Sequence, residues 1–206
     1  MNIKEYWDYE MACGRGYDKV RNGWSKTDFE ARSDDTIANY LNLNKGYRVA
    51  EIGCAMAYAC KIVAPKVKEY VGIDFSAQMI EEAKVLNSDF KNTKFVVNDG
   101  LTLPFEDDSF DIVFCELCFQ HMSREQMTSN IMEIKRVVKP EGGVALQFPT
   151  PRISDGQCSP ALGDLQTLFP SEKIKYYQYY IYVYTPEFVE DEVKHIVDNP
   201  QHVNFV

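Results

Sequence analysis

Residues 47–74 read YRVAEIGCAMAYACKIVAPKVKEYVGID. The apolar, β-branched run at 47–52 predicts a strand that ends at Gly53. Small residues form the next turn, and an apolar helix follows to about Val63, just before a proline. A second strand ends at Asp74. This order predicts half of a nucleotide-binding βαβ unit, in which a carboxylate is placed to bind the two hydroxyls of a ribose.

Strands and helices alternate five times across residues 33–149. Ser33 begins a short helix, and Ser76 precedes a helix with regularly spaced apolar residues. Ser123 forms a capping box with Gln126 at the start of a helix predicted to run to about Lys139, and residues 140–143 predict a turn. Apolar runs predict three further strands, at residues 94–98, 110–115 and 144–148. Such alternation requires right-handed crossovers. We therefore predict an α/β fold with a Rossmann-like, doubly wound, mostly parallel sheet and helices on both faces.

The two ends of the chain differ from this pattern. Residues 1–32 are aromatic and irregular and predict an N-terminal cap, which either packs passively or closes as a lid. Residues 150–206 predict a C-terminal substrate, lid and edge region. Within it, residues 174–184 are rich in tyrosine and favour a strand, and a helix is predicted after Thr185. Residues 202–206 predict one more strand. The C-terminal strands are thus expected to be atypical or shortened.

Composition limits the classes of function. The chain has 206 residues, of which 45% are hydrophobic and 26% charged, which is typical of a single globular domain. Its net charge of −9 would repel phosphate backbones, so nucleic acid is not an expected partner. No apolar run is long enough to span a bilayer, and the start lacks an apolar signal core. We expect no membrane association and a cytoplasmic location.

Six cysteines predict buried free thiols in a reducing compartment rather than disulfides. Cys115 and Cys118 form a C-x-x-C, for which a redox or zinc role was considered. The chain has no second such pair and no histidine at ligand spacing, and this pair closes a strand instead of opening a helix. No metal site is expected.

Several ligand motifs are absent, which narrows the chemistry. The sequence lacks the P-loop, the G-x-G-x-x-G nicotinamide fingerprint and the G-x-S-x-G nucleophile elbow. The turn at Gly53, Asp74 after the second strand and Asp99 after the third remain. The carboxyl ends of neighbouring parallel strands are where open α/β sheets bind ligands. Asp99 would suit an adenine amine there, with Leu101 and Met79 placed to sandwich the base.

Four segments resemble the class I S-adenosylmethionine-dependent methyltransferases, in particular the small-molecule group called type 11. VAEIGCAMA is similar to that family's VLDIGCGTG, and VGIDFSAQMIEEAK is similar to its second motif. VNDGLTLPFEDDSFDIVF and EIKRVVKPEGG are similar to the next two. The resemblance covers about residues 33–149, which would form the cofactor-binding core of one methyltransferase-like domain, residues 1–206. It implies S-adenosylmethionine as the cofactor and S-adenosylhomocysteine as the product.

The resemblance implies roles around the first turn. Glu51 would organise the turn and help to hold the methionine amino group. Gly53, Cys54 and the backbone near Ala55 would face the methionine moiety. Asp74 would bind the ribose hydroxyls.

The resemblance also implies contacts to the adenine. Phe75 and Met79 would lie beside the base, although such residues more often belong to a core. Asp99 would contact the adenine amine, and the Gly100 amide would contact a ring nitrogen. Leu101 would cover the other face of the base.

The fourth strand would lead to the reacting centre. Cys115, at its end, would face the sulfonium and the substrate. His121 lies where many members of the family carry a histidine, and it is either a general base or a packing and capping residue. The amide- and base-nitrogen methyltransferase signature is absent, since the corresponding residues read CELC. A small hydroxyl, carboxyl or amine acceptor is therefore expected.

Two departures from the family favour an alternative, a catalytically inactive methyltransferase-like binding or partner subunit. The family's second and third glycines are Ala55 and Ala57 here. We expect Ala57 to lie inside the helix, where alanine is favourable, and Ala55 to be costly if the backbone there needs positive φ. The second departure is the short C-terminus, whose unpaired edge a homodimer could cover. A nicotinamide oxidoreductase is a distant third hypothesis.

Overall fold

The computed structural model describes residues 3–13, 41–149, 174–176 and 180–183. The chain divides into two compact units, Met1–Asp99 and Gly100–Val206. No helix in the described ranges is both long and apolar enough to cross a membrane.

The first unit combines parallel strands with helices. Its elements are α1 (Ile3–Ala12), β1 (Arg48–Ile52), α2 (Cys60–Val63) with a 3-10 turn at Ala64–Lys66, β2 (Glu69–Asp74), α3 (Ala77–Leu86) and β3 (Thr93–Val97). The strands lie in the order β3-β2-β1, and both neighbouring pairs are parallel. The predicted strands of this unit are confirmed to within one residue at either end.

The second unit carries the remaining strands. Its elements are β4 (Phe110–Cys115), a 3-10 turn (Phe119–His121), α4 (Arg124–Val137), β5 (Val138–Pro149), β6 (Ile174–Tyr176) and β7 (Tyr180–Val183). The strands lie in the order β4-β5-β7-β6, with β4 and β5 parallel and the other two pairs antiparallel. The tyrosine-rich stretch thus supplies two strands of three and four residues, in line with the predicted shortening.

Local sequence explains the packing in the first unit. β1 and β2 are almost wholly buried, as their continuous apolar runs predict. Gly72 leaves room on one face of β2, because a Cβ there would lie 2.9 Å from the Cys54 sulfur and 2.9 Å from the Phe95 ring. The Ser76 side chain accepts a hydrogen bond from the Met79 N–H and caps α3 as predicted.

Two boundaries in the second unit differ from the predictions. The capping box of Ser123 and Gln126 is confirmed, but α4 ends at Val137, two residues before the predicted end. Residues 140–143 were predicted to be a turn before a strand at 144–148, and β5 instead begins at Val138. Its pairing with β4 jumps from Phe110–Val138 to Ile112–Gly143, so the predicted turn is an irregularity inside the strand.

The N-terminal prediction needs a correction. Residues 3–12 form an α-helix, although we expected an irregular segment. Their glycine-free sequence, with Glu5 in the first turn, is compatible with a helix, and glycines begin only at Gly14. The helix predicted from Ser33, the helix predicted after Thr185 and the strand predicted at 202–206 lie outside the described residues.

Candidate cofactor site

The turn after β1 contains three residues with left-handed backbone. Gly53 has φ 67°, Ala55 has φ 47° and Ala57 has φ 54°. Only glycine adopts this region without a steric cost. The expectation that Ala57 lies inside the helix is wrong, because α2 begins at Cys60. Both positions at which the related family carries glycine thus have the backbone that glycine favours.

Backbone hydrogen bonds to β2 hold the start of this turn. The N–H groups of Gly53 and Cys54 both donate to the Ile73 carbonyl, at 2.8 and 3.0 Å. The Ala57 N–H closes the turn on the Cys54 carbonyl at 2.7 Å. The turn is therefore fixed against the end of the neighbouring strand.

Asp74 joins this turn to the start of α3. Its Oδ2 accepts the Ala55 N–H and its Oδ1 accepts the Ser76 N–H, both at 2.9 Å. The side chain is nearly buried, with 6% of its residue surface exposed. Burial raises the pKa of Asp74 from its ordinary 3.8 to about 6, while backbone hydrogen bonds oppose this rise and the charge of Asp8 adds to it. The carboxylate is thus an electrostatically costly group at the carboxyl end of a parallel strand.

The N-terminal helix contacts this corner of the unit. The Ser76 hydroxyl donates to Oδ1 of Asp8 at 2.6 Å, and α1 packs on α3. Asp8, Ser76 and Asp74 therefore form one chain of polar contacts. The N-terminal cap over residues 1–32 stays a prediction, which these contacts of Asp8 support.

Glu51 lies inside β1 with 7% of its surface exposed. Its carboxylate accepts a hydrogen bond from the Tyr70 hydroxyl of β2. Burial, followed by the charge of Glu51, raises the pKa of Tyr70 well above its ordinary value, so Tyr70 stays a donor. Tyr70 thus supplies the partner that a carboxylate in an apolar strand requires.

The predicted adenine residues of the first unit occupy different environments. Phe75 is half-buried, Met79 is 2% exposed and Asp99 is exposed. The Met79 N–H is used in the cap of α3. Contacts of these three residues to a base stay predictions.

In the second unit, α4 holds the loop with the predicted adenine contacts. Gly100 has φ 80°, and its carbonyl accepts from Nδ2 of the buried Asn130 at 2.9 Å. The Leu101 carbonyl accepts from the Ser129 hydroxyl at 2.8 Å. Two polar side chains on consecutive helical positions therefore fix two consecutive peptides, although the contacts of the Gly100 amide and Leu101 to a ligand stay predictions.

Cys115 and His121 lie at the end of β4 and just after it. Cys115 is a buried thiol that forms no disulfide, and the half-buried His121 has Nε2 3.0 Å from the Gln120 side-chain nitrogen. Between them, Leu117 has φ 52°, and its N–H donates to the buried Gln147 side chain at 2.6 Å.

Sequence reasoning missed the polar residues that shape these backbones. Asn87 and Asn130 are buried, and their side-chain amides bind the carbonyls of the loops that carry predicted ligand contacts. A signal existed, because Asn87 continues the apolar stripe of α3 at four residues beyond Ala83, and Asn130 falls between Met127 and Ile131 on the buried face of α4. A polar side chain on the buried, apolar face of a helix needs a hydrogen-bond partner.

Comparisons with known proteins find that this chain is similar to methyltransferases. The type 11 methyltransferase family model, described as "Methyltransferase domain", matches residues 50–146. The YcgJ protein of Bacillus subtilis, an uncharacterized methyltransferase, is 32% identical over 98 residues, which is 47% of this chain and 38% of that protein. Its crystal structure matches with a TM-score of 0.59 at 24% identity and covers 71% of this chain and 70% of that one.

Two further similarities concern proteins with named substrates. The demethylmenaquinone methyltransferase of Staphylococcus saprophyticus is 30% identical over 109 residues, 52% of this chain and 46% of that protein. A Haemonchus contortus phosphoethanolamine N-methyltransferase, solved with phosphoethanolamine and S-adenosylhomocysteine, has TM-score 0.60 at 21% identity and covers 70% of this chain and 31% of that one. This chain spans less than half the length of these curated relatives.

The Rossmann-like α/β fold is therefore confirmed, and it is the fold of S-adenosylmethionine-dependent methyltransferases. The methyltransferase family model matches residues 50–146, so the resemblance of the sequence motifs to that family is confirmed as well.

Proposed function

We propose that this protein is an S-adenosylmethionine-dependent methyltransferase for a small-molecule acceptor. The observation that carries the proposal is the Asp74 carboxylate, which is buried at the end of β2 and faces the glycine-type turn. Its oxygens accept the Ala55 and Ser76 N–H groups at 2.9 Å, and Phe75 contributes a further backbone hydrogen bond. A carboxylate offers about four lone-pair sites, so capacity remains for a ribose hydroxyl.

The other residues fit the same cofactor. The left-handed turn at Gly53 and Ala55 brings backbone close to the end of β1, where the methionine moiety would lie. S-adenosylmethionine supplies an activated methyl group when bound, and transfer needs mainly an in-line approach of the acceptor. Cys115 lies at the strand end predicted to face that centre. His121, whose Nε2 lies 3.0 Å from the Gln120 side-chain nitrogen, is the candidate general base for a hydroxyl or carboxyl acceptor.

A small acceptor agrees with the charge of the chain and with its relatives. Relatives are named for demethylmenaquinone and phosphoethanolamine, which are small molecules. The net charge of −9 disfavours nucleic acid. We therefore expect no shift in the anisotropy of labelled RNA or DNA at physiological salt.

Calorimetry with S-adenosylhomocysteine tests the cofactor assignment. Asp74→Asn keeps the size of the side chain but removes its charge, and we expect roughly tenfold to hundredfold weaker binding, because a hydrogen bond to a charged group contributes about 1.5–3 kcal/mol. The control is Glu69→Gln, at the other end of the same strand. Glu69 pairs with Arg48, and its substitution should leave the affinity for S-adenosylhomocysteine unchanged. Unaltered binding by Asp74→Asn would show that the ribose is held elsewhere.

The alternative of an inactive methyltransferase-like partner subunit is favoured by one observation, the alanines at positive φ in the turn. The two hypotheses differ in turnover. A methyltransferase should produce S-adenosylhomocysteine from S-adenosylmethionine in the presence of a panel of small hydroxyl, carboxyl and amine compounds. Tight cofactor binding without product from any acceptor would support the partner subunit.

A further inference from the structure

The turn at residues 53–57 uses alanine where its backbone favours glycine. Ala55 and Ala57 have φ values of 47° and 54°. Left-handed backbone is costly for residues with a Cβ, so neighbouring groups must hold such a conformation. One of these groups is Asp74, which accepts the Ala55 N–H. Among the hydrogen bonds described for this part of the chain, none joins the Asp74 side chain to the second half of the turn, residues 56 and 57.

Asn87 holds that second half. It is the C-cap that directly follows the last residue of α3, and it is 1% exposed. Its Nδ2 lies 3.3 Å from the Met56 carbonyl, 3.3 Å from the Ala57 carbonyl and 2.9 Å from the Ala83 carbonyl. One side-chain amide thus ties two consecutive peptides of the turn to the last turn of a helix that begins three residues after Asp74.

The orientation of this amide is fixed by what surrounds it. Three carbonyl oxygens face Nδ2, and a flipped amide would point its own oxygen at them. Oδ1 is buried and has no hydrogen-bond partner within the described part of the chain. A buried acceptor without a partner costs free energy, so the hydrogen bonds that Nδ2 of Asn87 donates must offset this cost.

We propose that Asn87 is a positioning residue for the cofactor, which keeps the alanine turn in the conformation that binds the methionine end. The inference rests on the proposed function. Asn87 itself is buried behind the turn and acts only through the Met56 and Ala57 peptides. In a turn with glycines the left-handed backbone would need no such tether.

The test compares matched asparagines in the same unit. Asn87→Ala should weaken S-adenosylhomocysteine binding about tenfold in calorimetry, the size of effect that about 1.4 kcal/mol would give. Asn92→Ala is the control, because Asn92 Nδ2 also binds two backbone carbonyls, of Ala64 and Val67, but neither belongs to the turn. Asn92→Ala should lower the melting temperature and leave the affinity unchanged.

Rescue by glycine distinguishes positioning from general stability. In a chain that already carries Ala55→Gly and Ala57→Gly, Asn87→Ala should cost less than about threefold in affinity, since glycine populates this backbone readily. An equal loss in both backgrounds, or wild-type affinity of the Asn87→Ala protein, would overturn the proposal. If Asn87→Ala does not fold, Asn87→Ser, which keeps one donor, takes its place in the same comparison.

A readout without ligand separates this inference from the proposed function. The same four proteins form a double-mutant cycle for urea unfolding of the ligand-free chain, and Asn87 and the two alanines should show non-additive midpoints. If the wild-type chain does not bind S-adenosylhomocysteine, the proposed function fails, while non-additive unfolding would still show that Asn87 holds the turn. Additive midpoints would overturn the tether itself.

Discussion

Ala55 and Ala57 share a backbone conformation but differ in burial, and this difference decides what a glycine would do at each. Left-handed backbone costs a residue with a Cβ about 1–2 kcal/mol. Glycine removes that cost but adds about 0.5–1 kcal/mol of chain entropy to the unfolded state. Ala55 is half-buried, so we expect Ala55→Gly to stabilise the ligand-free protein by about 0.5 kcal/mol.

Ala57 is fully buried, so Ala57→Gly also loses about 0.8 kcal/mol of apolar burial. We expect its net effect on the free energy of unfolding to be close to zero. Ala59→Gly serves as the control, because Ala59 is buried with φ −64° and should lose about 1 kcal/mol. Urea unfolding midpoints should rank the three variants in stability as Ala55→Gly, then Ala57→Gly, then Ala59→Gly. An Ala55→Gly protein as unstable as Ala59→Gly would contradict this order.

Asp74 should make the stability of the ligand-free protein depend on pH. Its pKa rises from 3.8 to about 6 on folding, so its favourable contribution is complete below pH 3.8 and is lost as the pH rises through 6. Relative to Asp74→Asn, wild type should lose up to about 3 kcal/mol between pH 4 and 7. Urea unfolding across this range measures the difference, and parallel pH profiles of the two proteins would contradict the prediction.

Ligand binding should show the opposite dependence on pH. Hydrogen bonds from ribose hydroxyls favour the ionised carboxylate. The affinity for S-adenosylhomocysteine should therefore rise between pH 5 and 7, and calorimetry in buffers of different ionisation enthalpy should detect release of a proton. The Asp74→Asn variant is the control, since it should bind weakly and with little change over this range.

At the scale of elements, the irregular start of β5 depends on one glycine. A Cβ at Gly142 would lie 2.9 Å from the backbone oxygens of Asp111 and Lys139, whereas a Cβ at Gly143 would meet its nearest neighbour at 3.6 Å. Gly142→Ala should destabilise the protein by about 1–3 kcal/mol through overpacking. Gly143→Ala, the adjacent control, should change the free energy of unfolding by no more than about 0.5 kcal/mol. Equal urea midpoints for the two variants would show that the strand adjusts without cost.

Arg136 ties the loop before β4 to α4. Its guanidinium binds both carboxylate oxygens of Glu133 at 2.8 Å and Asp107 at 2.9 Å, and it donates to the Phe105 and Leu103 carbonyls. Hydrogen bonds to Glu133, followed by those to Asp107, raise the pKa of Arg136, so it stays charged. Arg136→Ala should cost about 2 kcal/mol.

A surface ion pair serves as the control for the hydrogen bonds of Arg136. Lys84 and Glu81 are paired on the exposed face of α3, and Lys84→Ala should cost less than about 0.5 kcal/mol. Thermal unfolding and limited proteolysis of the loop at residues 103–108 measure both variants. Equal melting temperatures would mean that Arg136 contributes no more than an exposed pair.

For the whole molecule, the sequence predicts well whatever depends on local pattern. The continuous apolar runs of β1, β2 and β4 predicted buried parallel strands, and the polar residue at the end of β2 predicted the ligand edge. The turn conformation was not predictable, because the alanines of the turn sequence GCAMA carry no local signal for left-handed backbone. Ile73 holds the start of this turn, and Asp74 and Asn87 hold its left-handed alanines, although all three residues follow the turn by about 20 to 30 residues in the chain.

Local sequence also fails to predict the backbone shape of the rest of the candidate site. Asn130 and Ser129 fix the Gly100 and Leu101 carbonyls across about 30 residues of sequence, and no local pattern specifies which peptides they bind. The two strands of the tyrosine-rich stretch are too short for their separation to show in composition. Long-range hydrogen bonds, rather than propensities, therefore decide the shape of the loops that carry the predicted ligand contacts.

The net charge of −9 should make the protein distinguish the two forms of its proposed cofactor by an effect that salt removes. S-adenosylmethionine carries one positive charge more than S-adenosylhomocysteine, at the sulfonium. Nine net charges at about 20 Å in water attract that charge by about 2 kcal/mol before screening, and roughly half of this survives at about 10 mM salt. The ratio of the two affinities should thus favour S-adenosylmethionine by about fivefold more at 10 mM than at 300 mM salt. Calorimetry with both ligands at the two salt concentrations measures the ratio, and S-adenosylhomocysteine serves as the control for every salt effect unrelated to the sulfonium. A ratio independent of salt would mean that only charges in direct contact with the ligand, such as that of Asp74, set the preference.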